Sequence, residues 1–161
     1  MEVNQHVSGW ERIIKNSLDI VCTLDRQGYY ININDACKQV LGYDKEEIIE
    51  HHFSDFVHPL DLASSLLSAE HVIQGLKVHN FENRCIHKNG QEVPILWSAV
   101  WSEEDSLMLC VGRDITDQQL VRQKDKLHQV LVEHGIDMLA MFDQELNFLY
   151  SGGSTFRIMG Y

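Results

Sequence analysis

The chain has 161 residues, of which 44% are hydrophobic and 23% are charged, a balance that is ordinary for a soluble globular protein. Its formal net charge of −11 argues against nucleic acid or an anionic membrane as a partner, because both are negatively charged themselves. The sequence contains no apolar run of roughly 18 residues and no secretory signal pattern in residues 1–6, so no membrane segment is expected. The four scattered cysteines are typical of reduced thiols and predict a cytoplasmic protein.

Residues 1–18 are predicted to form an amphipathic helix, because apolar residues recur at three- and four-residue steps between polar ones. These apolar residues are Val3, Val7, Trp10, Ile14 and Leu18. Their stripe needs a partner, which is either the domain that follows or the same helix of a second copy.

A β-hairpin is predicted next, since segments 20–24 and 29–33 are rich in β-branched and aromatic residues and flank an Asp-Arg-Gln-Gly turn. Two short helices follow up to residue 49, the first of them capped by Asn34-Asp35 and ended by Gly42. Pro59 then opens the longest internal helix, which Gly75 closes. The apolar stripe of that helix is predicted at Leu62, Leu66, Ala69 and Ile73.

Three strands are predicted at 78–87, 92–101 and 107–115, the first two joined by an Asn-Gly turn. Strands at both ends of residues 19–116 must close into one antiparallel sheet, with the middle helices covering one face. Residues 19–116 are therefore predicted to form one α+β domain.

Residues 106–119 are predicted to join a strand to a helix almost without a loop. Their first half is an apolar run flanked by charge, which suits a strand buried on both faces. Thr116 and Gln119 have the spacing of a capping box at the start of a connector helix, predicted at 117–134. A shift of the strand would move the helix, so this geometry indicates signal relay.

Segment 19–43 aligns with segment 137–161 without a gap, which indicates an internal repeat. The turn aspartates Asp25 and Asp143 match, and both segments end in Gly-Tyr. Residues 135–161 are therefore predicted to begin a second, truncated domain of a longer chain whose effector is missing.

Several motifs, in this order and spacing, resemble those of PAS (Per-Arnt-Sim) sensory domains with a C-terminal PAC segment. They are Asp25-Arg26-Gln27-Gly28, Asn34 with Leu41-Gly42-Tyr43, Val57-His58-Pro59-Leu60-Asp61, Phe81-Glu82-Asn83-Arg84, Lys88-Asn89-Gly90 and Arg113-Asp114-Ile115-Thr116-Asp117. The chain is most similar to PAS domains of bacterial sensor histidine kinases and diguanylate cyclases. The resemblance implies a five-stranded antiparallel sheet in the order 2-1-5-4-3, helices on one face that enclose a ligand pocket, and dimerisation through the flanking helices.

The predicted pocket residues come from the helices and from one face of the strands. They are Cys37, Leu41, Phe56, Leu66, Ile73, Phe81, Cys85, Trp97 and Cys110. Trp97 shares its strand face with Trp101, and that face is either core, dimer interface or a platform on which a ligand stacks. For a homodimer, the candidate interface residues are Trp10, Ile14, Leu120 and Leu127. The connector helix forms either a parallel coiled coil between protomers or a contact with its own domain.

No cofactor is identified by the sequence. Haem-binding PAS domains carry a histidine near the middle of the long helix, whereas residues 63–68 contain none and His71 lies nearer the end. Flavin-binding light sensors carry a cysteine in a helix before the long one, and residues 51–56 contain none. Haem, flavin and a metal site are therefore not expected. Cys22 and Cys110, on neighbouring strands of the implied sheet, leave a thiol redox response as an alternative to simple packing.

These features predict a sensory input module that binds a small ligand or a partner and relays the signal through its C-terminal helix. The expected recipient is an effector in the same chain, a histidine kinase or a diguanylate cyclase, with Asp114 and Thr116 anchoring the relay. The alternatives are a ligand-free dimerisation and spacing module and a haem or redox sensor. An enzyme is not expected here, because the sequence has no phosphate loop, nucleophile-plus-base spacing or paired carboxylates.

Overall fold

The structure is a computed structural model that describes residues 2–133, 139–142 and 148–152, with side chains for residues 9–133. The helices are α1 Glu2–Lys15, α2 Ala36–Leu41, α3 Lys45–Ile48, α4 Leu62–Ile73 and α5 Thr116–Glu133. The strands are β1 Ile20–Leu24, β2 Tyr30–Ile33, β3 Val78–Ile86, β4 Glu92–Ser102, β5 Leu107–Asp114, β6 Leu139–Phe142 and β7 Phe148–Gly152. Two 3₁₀ turns, Phe53–Phe56 and Pro59–Asp61, lead into α4.

Strands β1 to β5 form one antiparallel sheet in the order β2-β1-β5-β4-β3. The order arises because the β1–β2 hairpin and the β3–β4–β5 meander join side by side through β1 and β5. Helix α2 packs on β1, α3 on β2, and α4 on β3 and β4, and their inward residues share one apolar core with the strands. The predicted α+β fold and its strand order are confirmed.

Strand β5 is buried on one face only, and the prediction that it is buried on both is wrong. Met108 and Cys110 are buried in the core, whereas Leu109 and Val111 are 40% and 43% exposed. Successive side chains of a strand point to opposite faces of the sheet. Helices α2, α3 and α4 all contribute to the core on the Met108 face, so the apolar residues between lie outside it.

Helix α4 turns only part of the predicted stripe to the sheet, since Ala69 and Ile73 pack against the core but Leu66 points outward. Ser65 and Val72 are 4% and 1% exposed, whereas Leu66 is 45% exposed. The prediction followed the apolar side chains, so it included Leu66 in place of the adjacent Ser65 and left out Val72. The inward face accepts a serine because the Ser65 hydroxyl donates to the backbone carbonyl of Asp61 at 2.7 Å.

The chain divides into two compact units, residues 1–116 and 117–161. In the second unit, β6 and β7 form an antiparallel hairpin with the backbone register of β1 and β2. Phe142 pairs with Phe148 as Leu24 pairs with Tyr30, and the register shifts at the same place in both hairpins. The repeat therefore extends to backbone geometry. The other residues of the predicted second domain lie outside the described residues, and that domain stays a prediction.

Candidate functional site

A cavity lies between α4 and the inner face of the sheet. Its volume is about 80 Å³, counted as the space that the centres of water molecules can reach. The residues that line it are Cys22, Leu24, Tyr30, Phe53, Val57, Ser65, Ser68, Ala69, Val72, Val78, Phe81, Asn83, Cys85, Trp97, Ala99, Met108 and Cys110. An apolar wall with a few convergent polar groups is the usual composition of a small-molecule site.

A chain of hydrogen bonds through the buried Asn83 supports one wall of the cavity. The Trp97 indole Nε1 donates to Asn83 Oδ1 at 2.9 Å, and Asn83 Nδ2 donates to Ser65 Oγ at 2.9 Å. Ser65 Oγ donates in turn to the Asp61 carbonyl. These bonds link β4, β3 and α4. Because an unpaired buried polar group is costly, they hold the helix in one position over the sheet.

An ion pair fixes the beginning of α4 to β3. The Asp61 carboxylate accepts hydrogen bonds from Arg84 Nη2 at 2.7 Å, Arg84 Nε at 2.9 Å and the Arg84 backbone N–H at 2.7 Å. These bonds lower the pKa of Asp61 to about 2, and the carboxylate raises the pKa of Arg84. A guanidinium that donates to both oxygens of one carboxylate forms a strong, directional contact. Asp61 thus positions α4 through its side chain and the cavity wall through its carbonyl.

A glycine on β5 makes room for the Trp97 ring. Gly112 pairs with Trp97 across the strands, and a Cβ atom at position 112 would lie 2.5 Å from the ring. A side chain there would displace the indole and its bond to Asn83. Of the alternatives for Trp97, the structure places it in the core and in the cavity wall.

Three cysteines, Cys22, Cys85 and Cys110, line the cavity, and each is buried and free. Cys22 and Cys110 face each other across β1 and β5. A hydrogen bond with Cys110, followed by burial, raises the pKa of Cys22, and burial raises the pKa of Cys85 to about 12. Cys22 and Cys85 are therefore protonated at neutral pH, and a protonated thiol is a poor nucleophile and a poor metal ligand. This environment favours packing over a redox response.

The predicted pocket residues on the strands meet at the cavity. Phe81 and Cys85 of β3, Trp97 of β4 and Cys110 of β5 all line it. Phe81 and Cys85 share the inner face because they are four residues apart on β3. Trp97 lies on the same face because it is paired with Phe81, and Cys110 because it is paired with Ala99, two residues from Trp97.

The predicted pocket residues on the helices and turns do not line the cavity. Cys37, Leu41 and Phe56 are buried elsewhere in the core, since α2 packs on β1 and the 3₁₀ turn packs Phe56 against Tyr43 and Tyr30. Leu66 points outward from α4, and Ile73 packs at the edge of the core. These five positions are corrected: the inward face of α4 contributes Ser65, Ser68, Ala69 and Val72 instead.

Several cavity residues were absent from the prediction. Ser65, Ser68 and Ala69 are small residues at helical spacing, a pattern that could have indicated a helix face with space above it. Tyr30 is 6% exposed and lines the cavity from β2. The β-branched and aromatic residues of segment 29–33 assign it to a strand, but nothing local in the sequence shows what its hydroxyl contacts.

Strand β5 passes into α5 through Ile115, a buried residue whose N–H donates to the Pro94 carbonyl at 3.0 Å. Asp114 Oδ1 accepts from the Thr116 backbone N–H at 2.9 Å and from its hydroxyl at 2.6 Å. Thr116 is the first residue of α5, and its hydroxyl is hydrogen-bonded to Asp114. The two predicted relay residues are in contact at the junction.

The N-terminal helix is bonded to the same end of the sheet. Asn34 Nδ2 donates to the carbonyls of Ile14 at 2.9 Å and Asp19 at 3.0 Å, and Asn34 Oδ1 accepts from the Val21 N–H. The Asp19 carboxylate pairs with Arg113 of β5 at 3.0 Å. The end of α1 and the start of α5 therefore connect to neighbouring positions of β1 and β5.

The predicted dimer residues are exposed within their own helices, Trp10 and Ile14 on α1 and Leu120 and Leu127 on α5. His71 is exposed in the last turn of α4 and does not line the cavity. Within the described part of the chain, no three His, Cys, Asp or Glu residues are grouped to hold a metal ion. Nor does any helix described there combine the length and apolar character needed to cross a membrane.

The strand order 2-1-5-4-3, with a cavity under the long helix, is the architecture expected of a PAS domain. Residues 18–117 match the family profile described as "PAS domain". The chain therefore belongs to the PAS family. It is 25% identical over 135 residues to the probable diguanylate cyclase DgcE of Escherichia coli (strain K12), covering 80% of this chain and 12% of that protein. The chain thus spans about one eighth of that relative's length.

Solved PAS structures have the same fold. A domain of a sensory box sensor histidine kinase/response regulator from Geobacter sulfurreducens is 19% identical, with a TM-score of 0.62 over 70% of this chain and 96% of that one. The PAS domain of a protein from Colwellia psychrerythraea is 26% identical, with a TM-score of 0.60 over 70% of this chain and 98% of that one. Together the matches support a signal-sensing input module, a typically non-catalytic class of domain.

Proposed function

We propose that this PAS domain senses a small ligand in the cavity under α4 and passes the response through β5 to α5. The observation that carries the proposal is the position of β5. Met108 and Cys110 of this strand line the cavity, and Asp114 at its end holds Thr116, the first residue of α5. Because one strand forms both contacts, a ligand that changes its twist or position acts on the junction as well.

The signal is proposed to reach an effector in the same chain, a diguanylate cyclase or a histidine kinase. The Escherichia coli relative, described as a probable diguanylate cyclase, supports the first of these. A cytoplasmic setting is also proposed, and the four buried, free cysteines support it because such thiols persist in a reducing compartment.

A ligand-free dimerisation and spacing module is the second candidate. It is supported by the exposed apolar residues Trp10 and Ile14 on α1 and by Leu120 and Leu127 on α5, which are one heptad apart. In both candidates the flanking helices pair two copies of the chain. The candidates differ in whether a bound molecule changes the junction.

The test begins with native mass spectrometry of the gently purified chain, in which a bound small molecule appears as an added mass. Amide hydrogen exchange at residues 111–120 is then compared before and after that molecule is removed. The sensor proposal expects a change in exchange rate at the junction. In the Asp114→Ala/Thr116→Ala double variant, the added mass should remain while the junction response disappears.

The matched control breaks a similar hydrogen bond at the other end of β5. Ser102 Oγ donates to Asp105 at 2.7 Å in the turn before the strand, and Ser102→Ala/Asp105→Ala removes this pair. The control should keep the junction response. The spacing module is supported instead if the purified chain carries no small molecule. It is also supported if the hydrogen-exchange rate at the junction does not change when the molecule is removed.

A further inference from the structure

The cavity has no charged side chain among the described residues that line it. The thiols of Cys22 and Cys85 do not supply charge either, since the pKa of Cys22 is raised by its hydrogen bond with Cys110 and by burial, and burial raises that of Cys85. Moving an ion from water into such surroundings without a partner of opposite charge is strongly unfavourable. An occupant of this cavity is therefore uncharged.

The polar groups of the wall differ in how fully they are hydrogen-bonded. Asn83 and Ser65 already have partners within the protein. The Tyr30 hydroxyl, in contrast, has no hydrogen bond to any residue that the structure describes, although its side chain is only 6% exposed. Burial and then the nearby thiols of Cys22 and Cys85 raise its pKa, so the group is a neutral phenol.

The Tyr30 oxygen is not among the fully enclosed, unpartnered side-chain atoms of the described residues, so it is open to the space beside it. A phenol both donates and accepts hydrogen bonds. Because Tyr30 lines the cavity, a molecule bound there can form a hydrogen bond with the Tyr30 hydroxyl. The volume of about 80 Å³ corresponds to about five to eight water positions at roughly 10 to 15 Å³ each. That space suits a molecule of about one ring, with roughly five to eight non-hydrogen atoms.

We propose that the cavity binds a neutral, mainly apolar molecule of about one ring whose hydroxyl or carbonyl group bonds to the Tyr30 hydroxyl. This ligand class rests on the proposed sensory function and makes it specific. Tyr30 acts as the polar contact, and the apolar side chains of Val72 and Met108 pack on the hydrocarbon part.

Three probes that share a phenyl ring test the proposal: benzyl alcohol, toluene and benzoate. Each is titrated into the full 161-residue chain, and binding is read from methyl NMR signals of Val72 and Met108, which both line the cavity. Benzyl alcohol and toluene should shift these signals. Benzoate should leave them unchanged at the same concentrations, because it is charged at neutral pH.

Tyr30→Phe removes the hydroxyl and keeps the ring. The ratio of benzyl alcohol affinity to toluene affinity should fall about fivefold in this variant, the size expected for one hydrogen bond. Toluene affinity should stay at its original value, which also shows that the cavity is intact. Tyr29→Phe is the matched control, because Tyr29 is the adjacent tyrosine, is 45% exposed and does not line the cavity.

Several outcomes would overturn the proposal. Benzoate binding as tight as that of benzyl alcohol would refute an uncharged ligand, and an unchanged affinity ratio in Tyr30→Phe would refute the role of the hydroxyl. If Tyr30→Phe lowers the affinity for benzyl alcohol and toluene equally, the hydroxyl has a structural role only. If no probe shifts the Val72 and Met108 signals, the cavity is refuted as a binding site. The relay is judged separately, by whether Thr116 responds to a probe that is bound.

Discussion

The core of residues 1–116 has a filled half and a hollow half on the same face of one sheet. In the filled half, α2 and α3 pack on β1 and β2 and bring Leu41 and Ile48 inward, both fully buried. In the hollow half, α4 lies over the neighbouring strands and brings Ser65 and Ala69 inward, beneath which the cavity remains. The size of the inward helical side chains thus decides where the domain is a packed core and where it is a binding site.

The largest expected effect is in the filled half. Leu41→Ala should lower the free energy of unfolding by about 2 to 5 kcal/mol, because it removes a buried side chain and leaves space that the surroundings cannot close. Leu66→Ala is the control of identical chemistry on the exposed face of α4, with an expected change below about 0.5 kcal/mol. Urea denaturation measures both. Equal losses at the two positions would contradict the burial that separates them.

Adding volume should distinguish the two halves more sharply than removing it. Ala36→Leu overfills the packed α2 and should cost about 1 to 3 kcal/mol of unfolding free energy. Ala69→Leu points the same added atoms into the cavity and should be neutral or stabilising by up to about 1 kcal/mol. Urea denaturation again gives the values. A large loss at both positions would mean that the cavity has no room for three additional carbon atoms.

The strands could be predicted from the sequence better than the helices that cover them. Strand parity placed Phe81 and Cys85 together, and the Asn-Gly turn and the apolar alternation defined the strands. The face of α4 was predicted only in part, because periodicity identifies apolar residues, and here Leu66 is exposed while Ser65 is buried. The free hydroxyl of Tyr30 was also beyond prediction, because the bonding of a buried polar group depends on residues distant in sequence.

The smallest expected effect concerns the ion pair between Asp61 and Arg84, at the beginning of α4 in the hollow half. The folded-state pKa of Asp61, about 2, lies below its usual value of 3.8, so the charged form is the one that folding stabilises. Its contribution is complete above about pH 4 and is lost as the pH falls through about 2. Asp61→Asn should lower the free energy of unfolding at pH 7 by about 1 to 2 kcal/mol, a value reduced by the partial exposure of Arg84.

The same variant should flatten the dependence of stability on pH between about 4 and 2, measured as urea midpoints at a series of pH values. Asp35→Asn is the control in the filled half, where Asp35 pairs with Lys45 at 2.7 Å and its pKa is lowered by that hydrogen bond. The Asp35 carboxylate is half exposed, so solvent screens the pair and a smaller loss is expected. Hydrogen exchange in Asp61→Asn should rise in α4 and leave α2 unchanged, because only α4 is anchored through Arg84. An equal rise of hydrogen exchange in α4 and α2 would show that the two halves open as one unit, which would contradict the distinction between them.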